Sequence, residues 1–368
     1  MTNKPLKLVT IVGARPQLIK AAPVSNAIQR HNSKNPNRLI YEILIHTGQH
    51  YHYEMSQVFF DELRLKAPDY YLGVGSGTHG YQTGEMLKRI EEVLIKEEPD
   101  LVLVYGDTNS TLAGALAASK LGIAVAHVEA GLRSFNRKMP EEINRVLTDH
   151  ISDLLFCPTP KAVENLQREG ITKGVYLVGD VMYDAALQYS KLAGQKSRIL
   201  GQLGLKPKQY ALATIHRAEN VDHPERIKSI LTGLKAIAQS GLPVVLPLHP
   251  RTRKQLETLR LSTNGLYVIK PVSYLDMLVL EKNARVIITD SGGVQKEAFF
   301  FRIPCVTLRE ETEWVETVES GWNVLVGCDP IRILNAALET RLGVNPPWFY
   351  GDGQAAKNIV SVILNIFK

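Results

Sequence analysis

The sequence predicts an α/β fold made of two Rossmann-like domains, each a doubly wound parallel sheet. Short apolar runs rich in β-branched residues alternate with amphipathic runs along the chain, which is the pattern of repeated βαβ units. The chain has 368 residues, more than one hydrophobic core usually serves. The alternation also restarts after about residue 178. We therefore expect one domain on each side of that point.

The elements of the first domain, residues 1–178, are expected to alternate along the chain. Its expected strands are 7–12, 41–46, 101–105, 124–129 and 154–157. Its expected helices are 16–29, 53–63, 83–96 and 111–121. Open parallel sheets bind their ligands at the carboxyl ends of the strands, so we look for functional residues there.

The second domain, residues 179–352, repeats the pattern. Its expected strands are 211–214, 244–248, 267–269, 286–289 and 305–308, and helix 224–238 separates the first two. After the Pro346-Pro347 break, residues 353–368 are expected to form a helix that packs back on the first domain. This arrangement predicts a ligand cleft between two facing domains.

Composition narrows the class of protein. Apolar residues make up 45% and charged residues 22% of the chain, as in an ordinary globular protein. No apolar run is long enough to span a bilayer, and no signal peptide is recognised, so no membrane partner is expected. The three widely spaced cysteines, Cys157, Cys305 and Cys328, form neither a disulfide ladder nor a zinc site. A reducing cytoplasm fits this pattern.

The chain is basic, with a net charge of +6 and a pI of about 9.0. Its basic residues are scattered and match no nucleic-acid-binding pattern. An anionic small substrate therefore explains the charge better than nucleic acid does.

The segment around Ser291 indicates a cradle for a nucleotide diphosphate. The apolar run 286–289 leads into Ser291, which can cap the following helix, and then into Gly292 and Gly293. The glycines let backbone approach a ligand closely, and the helix N-terminus attracts phosphate. A carboxylate at Glu297 can hold a ribose diol. The alternative is an ordinary glycine-containing turn between a strand and a helix.

Two cations open the first helix of the chain. Arg15 and Lys20 lie near its expected N-terminus, where positive charge opposes the helix dipole. We therefore expect an anionic group to offset their charge, and we favour binding of a phosphate or a sugar here. The alternative is a solvated basic helix start.

Three carboxylates follow strands of the first domain or lie in the next loop. Asp107 and Glu129 lie where strands end, and Glu141 lies at a helix start. Each alone can be a helix cap or a dipole partner. Together they suit general acid–base chemistry around one ligand. The turn 46–50, which contains Gln49, is equally consistent with a ligand contact and with a polar turn.

The second domain places further polar residues after its strands. His216 and Arg217 end one strand, and Arg309 follows another. A histidine in this position can carry a proton or bind phosphate. The glycines at 75, 77 and 80 match a dinucleotide-binding pattern, but the acid at residue 100 precedes its strand instead of ending one. We reject a nicotinamide cofactor on that ground.

With these motifs together, the chain resembles the non-hydrolysing UDP-N-acetylglucosamine 2-epimerase family. The resemblance covers nearly the whole chain, and its motifs come in order: Gly13-Ala14-Arg15-Pro16, Gly106-Asp107-Thr108, HVEAGLR from His127, PEEINR from Pro140, His216-Arg217 and DSGGVQKE from Asp290. It implies a glycosyltransferase-B-type architecture. It also implies elimination of UDP across C1–C2 of the sugar and re-addition to the opposite face, with no metal or redox cofactor.

The resemblance also implies roles for particular residues. Asp107, Glu129 and Glu141 form the acid–base set, and His216 serves the pyrophosphate leaving group. The expected substrate contacts are Arg15, Lys20, Gln49, Arg133, Arg217, Tyr274, Ser291, Gly292, Gly293, Glu297 and Arg309. Within this set, Ser291 to Gly293 hold the diphosphate, Glu297 the ribose and Tyr274 the region of the uracil. The family further implies a homodimer that binds a UDP-N-acetyl sugar.

The chain departs from the family pattern at several positions. Gln17 replaces the usual Glu, Trp314 replaces a substrate-side Arg, and Ala218 replaces another Arg. The loop from residue 129 to 141 is also shorter than usual. These departures resemble the subgroup that converts UDP-2,3-diacetamido-2,3-dideoxy-glucuronic acid to its manno isomer for surface polysaccharide. Altered residues at the family's second UDP-N-acetylglucosamine site, Ala218 and His52, predict loss of activation there.

Other functions remain open from the sequence. The same residues suit UDP-N-acetylglucosamine 2-epimerase, which gives UDP-N-acetylmannosamine. A retaining glycosyltransferase shares the architecture but needs an acceptor site and does not require three clustered carboxylates. A non-enzymatic UDP-sugar sensor would need the cradle and none of the three carboxylates.

Overall fold

The first domain is built on seven strands: β1 (Leu6–Val12), β2 (Ile40–His46), β3 (Tyr70–Tyr71), β4 (Leu101–Tyr105), β5 (Ala124–Val128), β6 (Leu154–Cys157) and β7 (Val175–Leu177). The sheet order is β3-β2-β1-β4-β5-β6-β7, and its strands pair in parallel. The central β4 is buried at every residue, as expected for a strand covered on both faces. The structure is a computed structural model that describes residues 4–48, 60, 62–339 and 349–367.

The helices of this domain connect the strands and cover the sheet. They are Arg15–Lys34, His79–Glu97, Asn109–Lys120, Pro140–Ile151, Pro160–Arg168 and the late helix Ala355–Ile366. Arg38 donates a hydrogen bond to the carbonyl of Leu364, so the late helix contacts the first domain.

The second domain has a sheet of six parallel strands. They are β8 (Ala211–Thr214), β9 (Val244–Pro247), β10 (Tyr267–Ile269), β11 (Val286–Thr289), β12 (Cys305–Thr307) and β13 (Asn323–Leu325), in the order β10-β9-β8-β11-β12-β13. Its helices are Ile199–Gln202, Ala218–Val221, Pro224–Gln239, Pro250–Thr258, Tyr274–Asn283, Gly292–Phe300, Val315–Glu319 and Pro330–Leu338. The predicted fold class, two doubly wound parallel α/β domains, is confirmed.

The two domains divide the chain differently from the sequence-based bounds. One unit is Met1–Leu187 with Trp348–Lys368, and the other is Gln188–Pro347. The division falls inside helix Val181–Lys196 because the first half of that helix binds the late segment. The Asp184 carboxylate accepts hydrogen bonds from the backbone amides of Ala355 (3.1 Å) and Ala356 (2.8 Å). Residues 179–187 and 349–352 therefore belong to the first domain.

Three short strands at the sheet edges are among the elements that the sequence did not predict. β3, β7 and β13 have only two or three residues each, too few to show a periodicity. The glycine-rich run 75–80 leads into helix His79–Glu97. Residues 75–78 of this run lie outside helices and strands. Most of the predicted helix 53–63 lies outside the described residues.

Candidate active site

The carboxyl ends of three neighbouring strands meet at one edge of the first sheet. Gly13 follows β1, Thr47 follows β2, and Ser110 lies just beyond β4. A Cβ atom on Gly13 would lie 2.1 Å from the hydroxyl oxygens of both Thr47 and Ser110, which are 2.8 Å apart. Only glycine lets the three chain segments approach this closely. The polar clusters that the sequence places after these strands therefore share one edge.

Lys20 and Glu129 form a buried ion pair at this edge. The Lys20 Nζ atom lies 2.7 Å from Glu129 Oε1, and the two side chains are only 8% and 5% exposed. Gly106 closes over the pair, since a Cβ atom there would lie 2.8 Å from Lys20 Nζ. Glu129 has a left-handed backbone with φ of 73°, a conformation that surrounding structure must hold in place. The anion that offsets Lys20 in this structure is therefore Glu129.

Asp107 is paired with an arginine of the next helix. Arg145 Nη2 donates to Asp107 Oδ2 at 2.6 Å, and Asn144 Nδ2 donates to the Asp107 carbonyl at 2.9 Å. The helix Asn109–Lys120 has Thr108 at its N-cap and no side-chain cap hydrogen bond, so Asp107 is not a helix cap. The Asp107 side chain remains 26% exposed and accessible to a ligand.

Two adjacent glutamates begin helix Pro140–Ile151, and they differ in surroundings. Glu142 is buried and accepts hydrogen bonds from Ser134, Phe135 and Arg145. Burial raises the pKa of Glu142, but the Ser134 amide and the Arg145 guanidinium more than offset this, so the pKa lies below its ordinary value. Glu142 thus anchors the loop that precedes the helix, while Glu141 is half-buried beside it.

Glu142 and Arg145 are site residues that the sequence analysis did not select. Their i,i+3 spacing in a predicted helix is a signal that could have identified the pair. Arg145 contacts both Glu142 and Asp107, so it connects the anchoring carboxylate to the accessible one.

Arg133, expected to bind substrate, is instead enclosed by protein carboxylates. Its guanidinium donates to Asp149 at 2.6 Å and to both carboxylate oxygens of Glu169 at 2.7 and 2.8 Å. The side chain is 1% exposed. The structure thus gives Arg133 protein partners, and its assignment as a substrate ligand stays a prediction.

Arg309 in the second domain is likewise surrounded by carboxylates, and its role as a substrate ligand stays a prediction. Its Nη1 atom donates to Glu313 at 3.0 Å, Glu219 lies 3.8 Å from its Nε atom, and the side chain is 1% exposed. Its charge and its position after β12 suggested a ligand contact, but sequence does not show which carboxylates a strand-end arginine will meet.

In the second domain, His216 is oriented by the buried carboxylate of Asp290. His216 Nδ1 lies 3.1 Å from Asp290 Oδ1, and Asp290 also accepts hydrogen bonds from the backbone amides of His216 and Arg217. Burial raises the pKa of Asp290, but His216 and these amides hold it below its ordinary value. The charged carboxylate fixes a hydrogen on Nδ1, which leaves Nε2 of a 45% exposed side chain for a ligand.

The helix Gly292–Phe300 begins as the sequence predicts. Ser291 is its N-cap, and the Ser291 hydroxyl accepts a hydrogen bond from the Val294 amide at 3.4 Å. Gly293 follows Gly292 in the first turn. A Cβ atom on Gly292 would lie 2.4 Å from Glu313 Oε1, so glycine leaves room for a carboxylate at this helix N-terminus.

Glu297 lies in the same helix, and its carboxylate is oriented by a tyrosine. The Tyr274 hydroxyl donates to Glu297 Oε1 at 2.9 Å, and both side chains are buried. Contact of Tyr274 with a uracil stays a prediction.

Lys296 and Trp314 form a buried cation–π pair that the sequence analysis did not foresee. The Lys296 ammonium lies 4.0 Å from the centroid of the Trp314 ring, and the two residues are 1% and 3% exposed. The indole nitrogen of Trp314 would lie 3.1 Å from a Cβ atom on Gly292, so the pair lies directly beside the start of this helix.

The turn after β2 is described only in part. His46 accepts a hydrogen bond from the Gly48 amide at 3.0 Å and stacks on Tyr71 with 5.2 Å between ring centroids. His46 and Thr47 are buried, as in a structural polar turn. Gln49 lies outside the described residues, and its role stays a prediction.

Comparison with known proteins identifies the family. The family model for UDP-N-acetylglucosamine 2-epimerase matches residues 33–364. The chain belongs to this family. A Methanococcus maripaludis protein named UDP-N-acetylglucosamine 2-epimerase homolog is 56% identical, and the alignment covers 98% of this chain and all of that protein. The protein is therefore an isomerase, a UDP-sugar 2-epimerase.

Two further relatives bear on the substrate. The Pseudomonas aeruginosa UDP-2,3-diacetamido-2,3-dideoxy-D-glucuronate 2-epimerase is 51% identical, with 98% of this chain and all of that protein covered. The crystal structure of Methanocaldococcus jannaschii UDP-GlcNAc 2-epimerase in complex with UDP-GlcNAc and UDP is similar at 47% identity, covers 98% of this chain and 100% of that chain, and has a TM-score of 0.89. Within the described residues, none of the helices has the length and apolar content to cross a membrane.

Proposed function

We propose that this enzyme epimerises UDP-2,3-diacetamido-2,3-dideoxy-D-glucuronate at C2 and gives the manno isomer for surface polysaccharide such as O-antigen in lipopolysaccharide. The observation that carries the proposal is the full-length 51% identity to the P. aeruginosa enzyme of that name. Trp314 supports the proposal. This residue occupies the position where the family pattern has a substrate-side arginine, and its ring packs on Lys296.

The proposed substrate has a carboxylate at C6, which requires a cationic partner. Arg137 and Lys138 lie in the loop between β5 and helix Pro140–Ile151, and both are exposed. Glu142 anchors this loop through the Ser134 and Phe135 amides. We assign the recognition of the C6 carboxylate to this pair of cations.

The proposed reaction is an anti elimination followed by re-addition. The C2 hydrogen leaves as a proton, the C1–oxygen bond to UDP breaks with its electron pair, and a C1–C2 double bond forms. UDP then adds back at C1 while a proton reaches the opposite face of C2. Re-addition returns the proton and the UDP group that elimination removes, so the sugar undergoes no net oxidation or reduction and no redox cofactor is required.

The protein groups are assigned to these steps by their chemistry. Asp107, Glu129 and Glu141 supply the acid and base groups near C2 and C3. Nε2 of His216 and the amides after Ser291 stabilise the departing diphosphate. The carboxylate of Glu297 binds the ribose hydroxyls. Further contacts are assigned to Arg15, Arg217 and Tyr274, and we expect a cytoplasmic homodimer.

The second candidate is epimerisation of UDP-N-acetylglucosamine itself. It is favoured by the M. jannaschii enzyme, whose structure holds UDP-GlcNAc and UDP. That substrate lacks the C6 carboxylate, so it gives Arg137 and Lys138 no anion to bind.

The deciding experiment compares the two substrates by proton NMR. We expect kcat/KM to be at least about tenfold lower on UDP-N-acetylglucosamine, because a charged partner missing from a site that bound substrate desolvates costs about 1–3 kcal/mol. The Arg137→Ala/Lys138→Ala double variant should lose this preference without losing turnover of UDP-N-acetylglucosamine. Lys161→Ala, a change of an exposed lysine on helix Pro160–Arg168, is the matched control and should leave both rates unchanged. Fast, sigmoidal epimerisation of UDP-N-acetylglucosamine would establish the second candidate instead.

A further inference from the structure

We propose that the buried pair of His127 and Asp149 is a positioning device that holds the turns carrying Asp107 and Glu129 in one geometry. Neither residue of the pair is expected to touch substrate. The inference rests on the proposed acid–base role of Asp107 and Glu129, and it adds the element that sets their distance and orientation.

His127 lies on β5 and is completely buried. Its Nε2 atom lies 2.7 Å from the Gly106 carbonyl oxygen, and its Nδ1 atom lies 2.7 Å from Asp149 Oδ1. A carbonyl oxygen can only accept a hydrogen bond. The other oxygen of Asp149 receives hydrogen bonds from Arg133 at 2.6 Å and from the Gly131 amide at 3.1 Å. Nε2 of His127 must therefore donate to the Gly106 carbonyl, while Nδ1 and Asp149 share the second hydrogen bond.

The pair connects the two turns directly. Gly106 precedes Asp107 at the end of β4, and its carbonyl is held by the ring. Gly131 follows Glu129 after β5, and its amide is held by the carboxylate of Asp149. One ring and one carboxylate thus span the turns that present the two proposed acid–base groups.

Both turns have backbone that needs such support. Gly106, Glu129 and Gly131 have φ values of 66°, 73° and 81°, all in the left-handed region. A non-glycine residue such as Glu129 holds this conformation only where its surroundings impose it. A shift in either turn would move a carboxylate relative to the sugar, and misplacement by about 1 Å can cost roughly 100-fold in rate.

The device continues into a buried ion pair. Asp149 lies between His127 and the cation Arg133, and Arg133 in turn binds Glu169. Burial raises the pKa of Asp149, but His127 and Arg133 hold it below its ordinary value. A glutamine at 127 would remove the ring and with it one of the two hydrogen bonds.

The test is His127→Gln, assayed on the substrate that the wild type turns over fastest. We expect kcat to fall about 10- to 100-fold, with KM and the Kd for UDP within about threefold of wild type, because the effect is on geometry. Thr10→Val is the matched control. It removes another buried hydrogen bond of the same domain, 2.7 Å from Thr10 to Glu42, and should keep wild-type kcat. Equal kcat in the two variants, or a loss confined to KM, overturns the proposal.

A second measurement requires no variant. In wild-type protein with ¹⁵N-labelled histidine, we expect the His127 ring to carry a solvent-protected N–H at Nε2, and a His127 ring without a hydrogen at Nε2 would overturn the proposal.

The variant Asp107→Asn, assayed in parallel, separates the positioning role of His127 from the proposed acid–base role of Asp107. Normal turnover of Asp107→Asn removes the proposed function of that carboxylate. Impaired Asp107→Asn with normal His127→Gln removes only the positioning device.

Discussion

The buried ion pair between Lys20 and Glu129 gives a prediction whose size follows from its surroundings. At 2.7 Å and an effective dielectric of about 20, the attraction between two unit charges is about 6 kcal/mol. Desolvation of both groups offsets most of it, because the side chains are nearly inaccessible to water. Removing one partner, however, leaves the other buried and uncompensated. We therefore expect Lys20→Met to lower the free energy of unfolding by about 3–5 kcal/mol.

The assay is a double-mutant cycle of Lys20→Met, Glu129→Gln and the double variant, with the free energy of unfolding measured by urea titration. The double variant should be less destabilised than the sum of the single changes by about 2 kcal/mol or more, because it removes both charges. Lys161→Met is the control, since the ion pair from Lys161 to Glu164 is exposed at 37% and 53%. Its cost should stay below about 0.5 kcal/mol. A coupling energy between Lys20 and Glu129 of less than about 0.5 kcal/mol would refute the claim that the buried pair stabilises the fold.

Three further predictions concern chemistry and pH. Product formed in D₂O should carry deuterium at C2, as proton NMR would show, and full retention of hydrogen would exclude elimination with re-addition. Asp107→Asn should reduce kcat by about 10²–10⁴-fold while UDP still binds, and near-normal turnover would leave Asp107 only its contact with Arg145. Burial raises the pKa of Asp184 to about 6, above its ordinary 3.8, despite the Ala355 and Ala356 amides that lower it. Between pH 3.8 and about pH 6 the native state keeps this proton while the unfolded chain has lost it. The free energy of unfolding therefore falls as the pH rises through this range. Asp184→Asn should abolish roughly 1 kcal/mol of this loss between about pH 5 and pH 8 in urea titrations, and unchanged pH dependence would contradict it.

Much of the fold could be predicted because buried parallel strands have a strong local signal. Runs 101–105, 154–157, 211–214, 267–269 and 286–289 coincide with β4, β6, β8, β10 and β11. The edge strands β3, β7 and β13 could not be predicted, because pairing to a neighbour defines them more than their own residues do. The expected domain boundary at 178 also missed the contact between Asp184 and the late helix, which joins residues 171 positions apart.

The site could be predicted only as far as position along strands determines it. The rule that ligands meet strand ends placed Asp107 and Glu129 correctly at the edge of one sheet. Which cation meets which carboxylate is a long-range property. Lys20 and Glu129 are 109 residues apart, and Arg133 and Glu169 are 36 apart, so their pairing is invisible in local sequence.

The return of helix Ala355–Ile366 to the first domain has a consequence for biosynthesis. The ribosome delivers the whole of the second domain before that helix emerges, so the second domain can complete its core while the first still lacks a segment. Until then, Asp184 has no Ala355 and Ala356 amides to bind, and Arg38 has no Leu364 carbonyl. The unit that begins first along the chain is thus the one that finishes last.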